Sequence, residues 1–547
     1  MTRDAPDQQG GLWQSPVWRW GRWPLLGFLV LRLIFWGLTF PNPDEAYYWL
    51  WGQHWDWSYY DHPGFQAWGQ GLLTSLLGRS RFVLRLSNLL STTLVVVTLH
   101  RITTYLYGPQ ARDRFWLALL LVASSPLFFL FLALAWHDHW LIAFALLSSF
   151  YFVRFADAYA KDRSGATTDL MVAALFLGLA GLCKYTALLL GLSFAATLLS
   201  QRSLRRLYLD PRLYLALGLV VIVLSPIGVW NWQHDFFSWR FYGDRTSPSA
   251  SLHWLQPLVF LSLCALILGP IQAWAIARQA LSPAANLSPL RRTSVYPQLA
   301  WWLFGLSTGG FMALSLVSVA LYYWNILAYP LLFPLLTDQF YGATQAGVIW
   351  RRRPLAIAQG LGLFTAVALI CHYNLIPLTA GFTRADGDSA ALYGWPQISA
   401  LVHETADRLH QPLLLTTDYR SAAALAYSLN SPEVIALSGR LDQFDFWYQS
   451  TTMEGRDGVL LGESWHPICP AHLAMFDHTE PGKTLEIKRL GQVLQTYTLV
   501  LGYGFHAGSA GFPLEPDYPL GYTTDGETCG PWAGSGAWQS PQSPAPK

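Results

Sequence analysis

The sequence predicts an α-helical polytopic membrane protein of about eleven transmembrane helices, followed by a small C-terminal α/β domain outside the cytoplasm. Composition and charge placement support this fold class. Apolar residues make up 52% of the 547-residue chain and charged residues only 12%, whereas soluble domains carry about 25% charged residues. The 27 tryptophans and 26 tyrosines are typical of a chain with many membrane interfaces. This composition excludes an ordinary soluble enzyme.

Apolar stretches near the length that a bilayer requires, about 20 residues, recur through the first two thirds of the chain. They lie near 23–40, 82–100, 115–135, 140–156, 168–183, 186–200, 213–230, 253–277, 297–320, 325–342 and 354–376. The first stretch has no small-residue cleavage site before the tyrosine-rich loop that follows it. We therefore interpret it as a retained span rather than a signal peptide.

Lysine and arginine are distributed unequally between alternate loops, and short cytoplasmic loops retain these residues. One set of loops holds nineteen: Arg3, Arg19, Arg22, Arg101, Arg112, Arg114, Arg154, Lys161, Arg163, Arg202, Arg205, Arg206, Arg212, Arg278, Arg291, Arg292, Arg351, Arg352 and Arg353. The opposite loops before residue 377 hold six: Arg79, Arg81, Arg85, Lys184, Arg240 and Arg245. The asymmetry predicts a cytoplasmic N-terminus and an extracytoplasmic segment after residue 377.

The chain changes character at Pro377, where shorter apolar runs follow strand and helix patterns. Strands are predicted at 412–417, 434–437, 458–462 and 494–502, and a helix at 421–429. The predicted domains are therefore a transmembrane domain at 1–376, an α/β domain at 377–530 and a disordered Gly-, Ser-, Pro- and Gln-rich tail at 531–547. Cys469 and Cys529 lie in a compartment that permits disulfides, and the sequence leaves their pairing open.

The first outer loop, PNPDEAYYWLWGQHWDWSYYDHPGFQAWGQ, carries more ionisable residues than a connector needs. Asp44 and Glu45 follow the first span directly, which predicts carboxylates at the depth of a lipid headgroup. A carboxylate there suits a general base that takes a proton from an acceptor hydroxyl. The alternative is that Asp44 caps the helix that follows Pro43.

Other outer loops also carry ionisable groups. His137 and Asp138 lie in WHDHW between two apolar helices. In one interpretation His137 faces the phosphate and Asp138 orients the acceptor or a histidine; in the other, both belong to a polar turn at the membrane interface. Lys184, at the outer end of a helical hairpin, either grips a phosphate as a compact charge or snorkels to headgroups. Arg240, in WNWQHDFFSWRFYGDR, is a further substrate-binding candidate.

Four segments, PDEAYYWLWGQHWDWSYYDHP, GLCKYTALLLG, WNWQHDFFSWRF and SGRLDQFDFW, resemble bacterial glycosyltransferases related to dolichyl-phosphate-mannose protein mannosyltransferases. The aminoarabinose lipid A transferase is a relative. The resemblance implies a GT-C fold in the inner (plasma) membrane and a polyprenyl-phosphate sugar donor. It also implies inverting transfer, on the outer face, to a lipid, polysaccharide or protein acceptor.

The resemblance also implies roles for individual residues. Asp44 matches the family's acid in the first outer loop and is the catalytic candidate, with Glu45 as its neighbour. Asp61 and His62 match an acid and a base before proline, although the aminoarabinose enzymes carry lysine where this chain has His62. That departure weakens the case for a lipid A phosphate as acceptor. The acids of the outer loops leave open whether a divalent metal binds there. The substrate-binding candidates are Glu45, Asp61, His62, His137, Asp138, Lys184 and Arg240.

Two other classes of protein compete with a transferase. A transporter or flippase of lipid-linked sugars would bind near the bilayer midplane between broken helices, whereas the ionisable residues here crowd the outer loops. A structural envelope protein would not require so many acids and histidines on one side. No Walker or dinucleotide-binding glycine pattern is present, so the sequence predicts neither nucleotide-driven transport nor a nucleic-acid partner.

Overall fold

The structure is a computed structural model that describes residues 11–245, 252–281, 294–345, 349–381, 386–438, 441–448 and 450–506. The predicted disordered tail at 531–547 lies outside the described residues. Cys469 is disulfide-bonded. Cys529, whose pairing with Cys469 the sequence leaves open, lies outside the described residues. Most of the described chain is helical, as the composition predicts.

The principal helices follow the apolar stretches and the outer loops. Their bounds are Pro16–Leu38, Pro43–Trp51, Phe65–Leu77, Leu86–Tyr107, Ala111–Ala123, Pro126–Phe131, Asp138–Asp162, Thr167–Cys183, Leu188–Ser200, Pro211–Gln233, Phe237–Arg245, Gln256–Leu268, Pro270–Leu281, Tyr296–Ser315, Leu332–Gln345, Ile349–Asn374, Trp395–Ala406 and Tyr419–Leu429. Shorter helices lie at Arg81–Leu84, Gly387–Ala390 and Pro470–Leu473.

Within the described ranges, five helices are long and apolar enough to cross a membrane. They are Pro16–Leu38, Arg81–Ala123, Asp138–Asp162, Pro211–Gln233 and Arg353–Asn374. A sixth span results if Gln256–Leu268 and Pro270–Leu281, which are bent by 114°, cross together. Thr167–Cys183 and Tyr185–Ser200 are apolar but shorter. The protein therefore has several membrane-spanning helices, and the number eleven stays a prediction.

Proline divides two of the predicted spans. The stretch predicted at 115–135 forms two helices because Pro126 begins the second one and disfavours helical geometry in the residue before it. The stretch predicted at 253–277 breaks at Gly269, whose φ of 114° favours glycine, directly before Pro270. Apolar composition alone does not reveal these breaks, because hydropathy carries no information on backbone geometry.

The chain divides into two compact units, each built from segments that are distant in sequence. The first unit consists of Met1–Phe35, Asn88–Gly228 and Thr246–Val367, and the second of Trp36–Ser87, Val229–Arg245 and Ala368–Lys547. The first outer loop and the loop after Pro211–Gln233 therefore belong to the same unit as the C-terminal sheet.

The second unit contains a five-stranded mixed sheet in the order β2-β1-β3-β5-β4. The strands are β1 (Leu413–Thr416), β2 (Val434–Ala436), β3 (Gly458–Glu463), β4 (Phe476–Arg489) and β5 (Gln492–Phe505). β1 pairs in parallel with β2 and β3, while β5 pairs antiparallel with β3 and β4. The four predicted strands and the predicted helix at 421–429 each coincide with an element of that kind. β4 was not predicted from the sequence, because Pro481 and Gly482 interrupt its charged sequence at a point where its pairing with β5 shifts register.

One aromatic cluster joins all three segments of the second unit. It consists of Tyr60 from the first outer loop, Trp230, Phe237 and Phe241 from the next segment, and Leu441 from the C-terminal segment. The burial of these large side chains stabilises the loop against the sheet-bearing part of the unit. The ionisable residues of the first outer loop are therefore carried on a packed structure.

Candidate active site

The helix that carries Asp44, Pro43–Trp51, is capped by Asn42. The Asn42 side chain accepts a hydrogen bond from the backbone N–H of Asp44 at 3.0 Å, and Glu45 accepts from the backbone N–H of Asn42 at 2.9 Å. This reciprocal pair is a capping box, which satisfies two otherwise unpaired N–H groups. The alternative that Asp44 serves as the cap is therefore wrong, and the helix does not need its carboxylate.

Glu45 forms a buried ion pair with Arg85, and both side chains are 0% exposed. The guanidinium binds the carboxylate through two bonds, Nε to Oε1 at 2.8 Å and Nη2 to Oε2 at 2.6 Å. Arg85 also donates to the backbone carbonyl of Thr39 at 3.0 Å. A bidentate pair with additional hydrogen bonds fixes geometry strongly. It holds the start of the Asp44 helix, and a direct substrate contact by Glu45 stays a prediction.

Asp61 and His62 are held by tyrosines. The Asp61 carboxylate accepts a hydrogen bond from the Tyr47 hydroxyl at 2.9 Å, and the Tyr47 oxygen accepts from the backbone N–H of Gln443 at 2.8 Å. Nδ1 of His62 lies 2.9 Å from the hydroxyl of Tyr242. The segment PDEAYYWLWGQHWDWSYYDHP is thus hydrogen-bonded to SGRLDQFDFW through Gln443, and it also binds WNWQHDFFSWRF, because the Trp230 indole N–H donates to Asp56 at 2.9 Å.

A charged cluster that the sequence analysis missed surrounds Arg420, at the start of the helix Tyr419–Leu429. The guanidinium, 23% exposed, lies 3.1 Å from an Asp418 oxygen, pairs with Asp388 and approaches Nε2 of His466 at 3.4 Å. His466 in turn bonds to Glu463. Three carboxylates therefore surround one arginine and one histidine.

Two pKa values reflect the charge of this cluster. Burial acts to lower the pKa of Arg420, but Asp418, Tyr419 and Asp388, with a smaller contribution from Asp44, outweigh it and raise that pKa above its usual range. Burial likewise disfavours protonated His466, but Asp418 and Glu463 raise its pKa above the ordinary value. The Asp44 carboxylate therefore lies within electrostatic range of Arg420.

A sequence signal for this cluster existed. Asp418 and Arg420 follow β1, while Glu463 ends β3 and His466 comes shortly after it. β1 and β3 are parallel neighbours, so their carboxyl ends meet at one edge of the sheet. In open α/β sheets that edge is the usual ligand-binding edge. Polar residues directly after two predicted strands were therefore candidates.

The first unit brings together the candidates His137, Asp138 and Lys184. Asp138 is fully buried, and its Oδ1 lies 2.9 Å from Nζ of Lys184. Nε2 of His137 lies 3.7 Å from the second Asp138 oxygen, and Lys184 Nζ lies 5.3 Å from the centre of the Tyr323 ring. Lys184 is 5% exposed. Its partners are a carboxylate and an aromatic ring, which contrasts with the exposed position that a snorkelling lysine takes.

Arg240 belongs to the second unit and lies on the exposed part of the helix Phe237–Arg245. Its guanidinium lies 5.5 Å from the ring centre of Phe237.

Among the residues that the structure describes, no three His, Cys, Asp or Glu side chains are grouped so that they could hold a metal ion.

Comparisons with known proteins agree with the motifs of the site. Residues 61–230 match the family described as dolichyl-phosphate-mannose-protein mannosyltransferase. The lipid A galacturonosyltransferase RgtD of Rhizobium johnstonii is 28% identical over 267 residues, which are 46% of this chain and 53% of the relative. The match thus spans about half the length of that curated relative.

Solved structures share the fold. The structure of ArnT from Cupriavidus metallidurans in the apo state matches with a TM-score of 0.59 at 15% identity, over 89% of this chain and 98% of ArnT. The same protein bound to undecaprenyl phosphate matches with the same score over 88% and 98% of the two chains. At this identity the likeness concerns the fold. The resemblance that the motifs indicate is confirmed: in sequence over residues 61–230, and in fold over most of its length, this protein is similar to the GT-C glycosyltransferases related to the protein mannosyltransferases and ArnT.

Proposed function

We propose that the protein is an integral-membrane glycosyltransferase that moves a sugar from a polyprenyl-phosphate donor to an acceptor on the outer face of the inner membrane. The observation that carries this proposal is the setting of Asp44: Asn42 caps its helix and the Glu45–Arg85 pair fixes the helix start. Support comes from the mannosyltransferase family match, from the galacturonosyltransferase relative and from the fold of ArnT, which has been solved with undecaprenyl phosphate.

The proposed reaction proceeds with inversion at the anomeric carbon. The acceptor hydroxyl oxygen forms a bond to that carbon while the bond from carbon to the phosphate oxygen breaks. The acceptor proton passes to the Asp44 carboxylate, and the lipid phosphate departs with the bonding electrons. A positioned base of this kind contributes about 100- to 10,000-fold to a rate.

Lys184 is the proposed partner of the departing phosphate. An ammonium has three N–H donors, and Asp138 takes one of them at 2.9 Å. Two donors therefore remain for other acceptors while Asp138 fixes the side chain. A fixed cation in a buried site stabilises charge that develops as the bond breaks. His137 lies beside the same carboxylate and is proposed to assist phosphate binding.

The remaining candidates have supporting roles in this proposal. Asp61 and His62 are proposed to contact sugar or acceptor hydroxyls because tyrosine hydroxyl groups hold both of them in position. Arg240 is proposed to attract the anionic donor from an exposed position. The sugar is proposed to be a hexose or pentose, and the acceptor a lipid, polysaccharide or protein.

The proposed topology has eleven spans, a cytoplasmic N-terminus and residues 377–530 outside. We expect an impermeant maleimide added to intact cells to label Gln397→Cys, an exposed position in the second unit. It should not label Ser164→Cys, an exposed position beside Lys161 and Arg163. Both variants are made in a background with Cys183, Cys264 and Cys371 replaced by serine. Labelling of Ser164→Cys without labelling of Gln397→Cys would show that the orientation in the membrane is the reverse of the one proposed.

The function is tested with purified protein in lipid nanodiscs. A panel of polyprenyl-phosphate hexoses, pentoses and uronic acids is supplied with candidate acceptors, and release of free polyprenyl phosphate is followed. A transferase releases lipid phosphate from at least one donor, and release rises with acceptor concentration. A flippase moves intact donor across a proteoliposome bilayer and releases none, which would overturn the proposal.

A further inference from the structure

We infer that Tyr242 is a positioning residue that holds the hydrogen of the neutral His62 ring on Nδ1, so that His62 accepts a hydrogen bond from a substrate hydroxyl through Nε2. The inference rests on the proposed function and deepens it. It states which atom of His62 meets the substrate and which hydrogen-bonding group the substrate offers there. It also distinguishes His62 from a lysine at the same position, which can only donate.

The first step of the argument is the restraint on His62 itself. Pro63 follows His62 directly, and the residue before a proline favours an extended backbone. The imidazole ring contacts two tyrosine rings: its centre lies 6.1 Å from that of Tyr48 and 6.2 Å from that of Tyr242. The backbone and the ring of His62 are thus both held in position.

The second step is the anchoring of Tyr242, which lies on the helix Phe237–Arg245. Its neighbour Phe241 belongs to the aromatic cluster, and the ring centre of Phe241 lies 5.0 Å from that of Tyr60. Tyr242 packs against the same cluster. Because Tyr60 precedes His62 by two residues, this packing brings the helix and its tyrosine hydroxyl to the segment that carries His62.

The third step is the single hydrogen of the Tyr242 hydroxyl. The hydroxyl oxygen lies 2.5 Å from the backbone carbonyl oxygen of Asp61 and 2.9 Å from Nδ1 of His62. A carbonyl oxygen can only accept, so the hydroxyl donates its one hydrogen to Asp61. The Tyr242 oxygen can then only accept from Nδ1, and Nδ1 must carry a hydrogen. In the neutral ring, Nε2 is therefore the nitrogen with the lone pair.

The fourth step is the kind of group that this lone pair can bind. His62 is partly exposed, on the same outer loop as Asp44 and Asp61. An acceptor nitrogen needs a partner that donates, and the proposed reaction supplies donors as hydroxyl groups of the sugar and of the acceptor. The oxygens of a lipid phosphate are acceptors and do not complement it. The geometry therefore favours a hydroxyl rather than the phosphate as the partner of His62.

The position of the hydrogen is tested by nitrogen NMR on the full chain in a lipid bilayer, labelled with isotope-enriched histidine. The His62 signals are assigned by their loss in His62→Gln. At alkaline pH, where histidine side chains are neutral, we expect the parent to show a protonated Nδ1 and an unprotonated Nε2. Tyr242→Phe should shift hydrogen towards Nε2, because Nδ1–H loses its acceptor. A parent with its hydrogen on Nε2 overturns the inference, whatever the protein transfers.

The contact with a hydroxyl is tested by three substitutions of His62, with kcat/KM measured for lipid-phosphate release. His62→Gln places an acceptor oxygen near the reach of Nε2, so its value should stay within about fivefold of the parent. His62→Lys offers only donors and His62→Asn is too short, so both should lose about 10- to 100-fold. A rise in the donor KM assigns the hydroxyl to the sugar, and a rise in the acceptor KM assigns it to the acceptor. His62→Lys that equals or exceeds His62→Gln would overturn the hydroxyl contact.

Tyr242→Phe should lower kcat/KM by about 3- to 10-fold, since one hydrogen bond that orients the ring is lost. Tyr448→Phe is the matched control: the Tyr448 hydroxyl, in the same unit, donates to the backbone carbonyl of Pro432 at 2.8 Å. This control loses the same kind of bond and leaves the contact between Tyr242 and His62 in place. Its kcat/KM and its His62 signals should match the parent.

Failure of this inference is distinguishable from failure of the proposed function. If Tyr242→Phe does not fold, the spectrum of the parent and the three His62 variants decide. An active parent with the hydrogen of His62 on Nε2 overturns the role of Tyr242 alone. A parent that releases no lipid phosphate from any donor overturns the proposed function and the substrate contact, while its spectrum still decides which nitrogen carries the hydrogen.

Discussion

Asp44→Asn is expected to reduce the release of polyprenyl phosphate by about 100- to 10,000-fold, because asparagine keeps the shape of the side chain but cannot accept the proton. The first turn of the helix Pro43–Trp51 should stay folded in this variant, since Asn42 and Glu45 form its capping box. Expression, membrane insertion and thermal unfolding should therefore match the parent. Turnover is measured with saturating donor and acceptor on both proteins.

Asp56→Asn is the matched control for this variant. Asp56 lies in the same outer loop, and its carboxylate accepts a hydrogen bond from the Trp230 indole N–H at 2.9 Å. An amide oxygen can accept that bond equally, so the control should retain turnover within about threefold. If Asp44→Asn retains more than about a tenth of parental turnover, Asp44 is not the base.

Lys184→Met is expected to lower turnover by about 100- to 1,000-fold, the usual loss when one preorganised electrostatic donor is removed. The variant also leaves the buried Asp138 carboxylate without its 2.9 Å partner. Breaking a buried ion pair in this way costs about 3 to 5 kcal/mol of stability. Turnover must therefore be compared with thermal unfolding, and both are measured.

The double variant Lys184→Met/Asp138→Asn separates the two effects. Replacing the stranded carboxylate with a neutral amide should restore most of the stability, while turnover should stay low because no cation faces the phosphate. Lys184→Arg should retain more turnover than Lys184→Met, since it keeps the positive charge. Recovery of both stability and turnover in the double variant would show that Lys184 is structural.

The sequence alone predicted the elements that local patterns of apolar and polar residues specify. Hydropathy located the apolar stretches, and the spacing of apolar residues located four strands and a helix of the sheet region. The same reasoning could not place the breaks at Pro126 and Gly269, since these depend on backbone geometry rather than hydropathy. It also left open that Asp44 caps the helix, whereas Asn42, which stands two residues earlier and is an equally good cap, takes that place.

The candidate site was harder to predict because its partners are far apart in the chain. Asp138 and Lys184 were each chosen as isolated ionisable residues, and only the packed helices show them as an ion pair. Arg85 appeared as a loop cation, while its fully buried bond to Glu45 shows that it organises the first outer loop. Arg420 meets Asp388 and His466 through tertiary packing that no local pattern encodes.

The most direct test of the central claim measures lipid phosphate and glycoside in the same reaction, for the parent and for Asp44→Asn. The donor is a polyprenyl-phosphate sugar labelled in both the sugar and the lipid. We predict that the parent releases polyprenyl phosphate and forms glycosylated acceptor in equal amounts, and that Asp44→Asn forms almost none of either. Glycoside formation at parental rates in Asp44→Asn, or relocation of intact donor without release by the parent, would contradict this account.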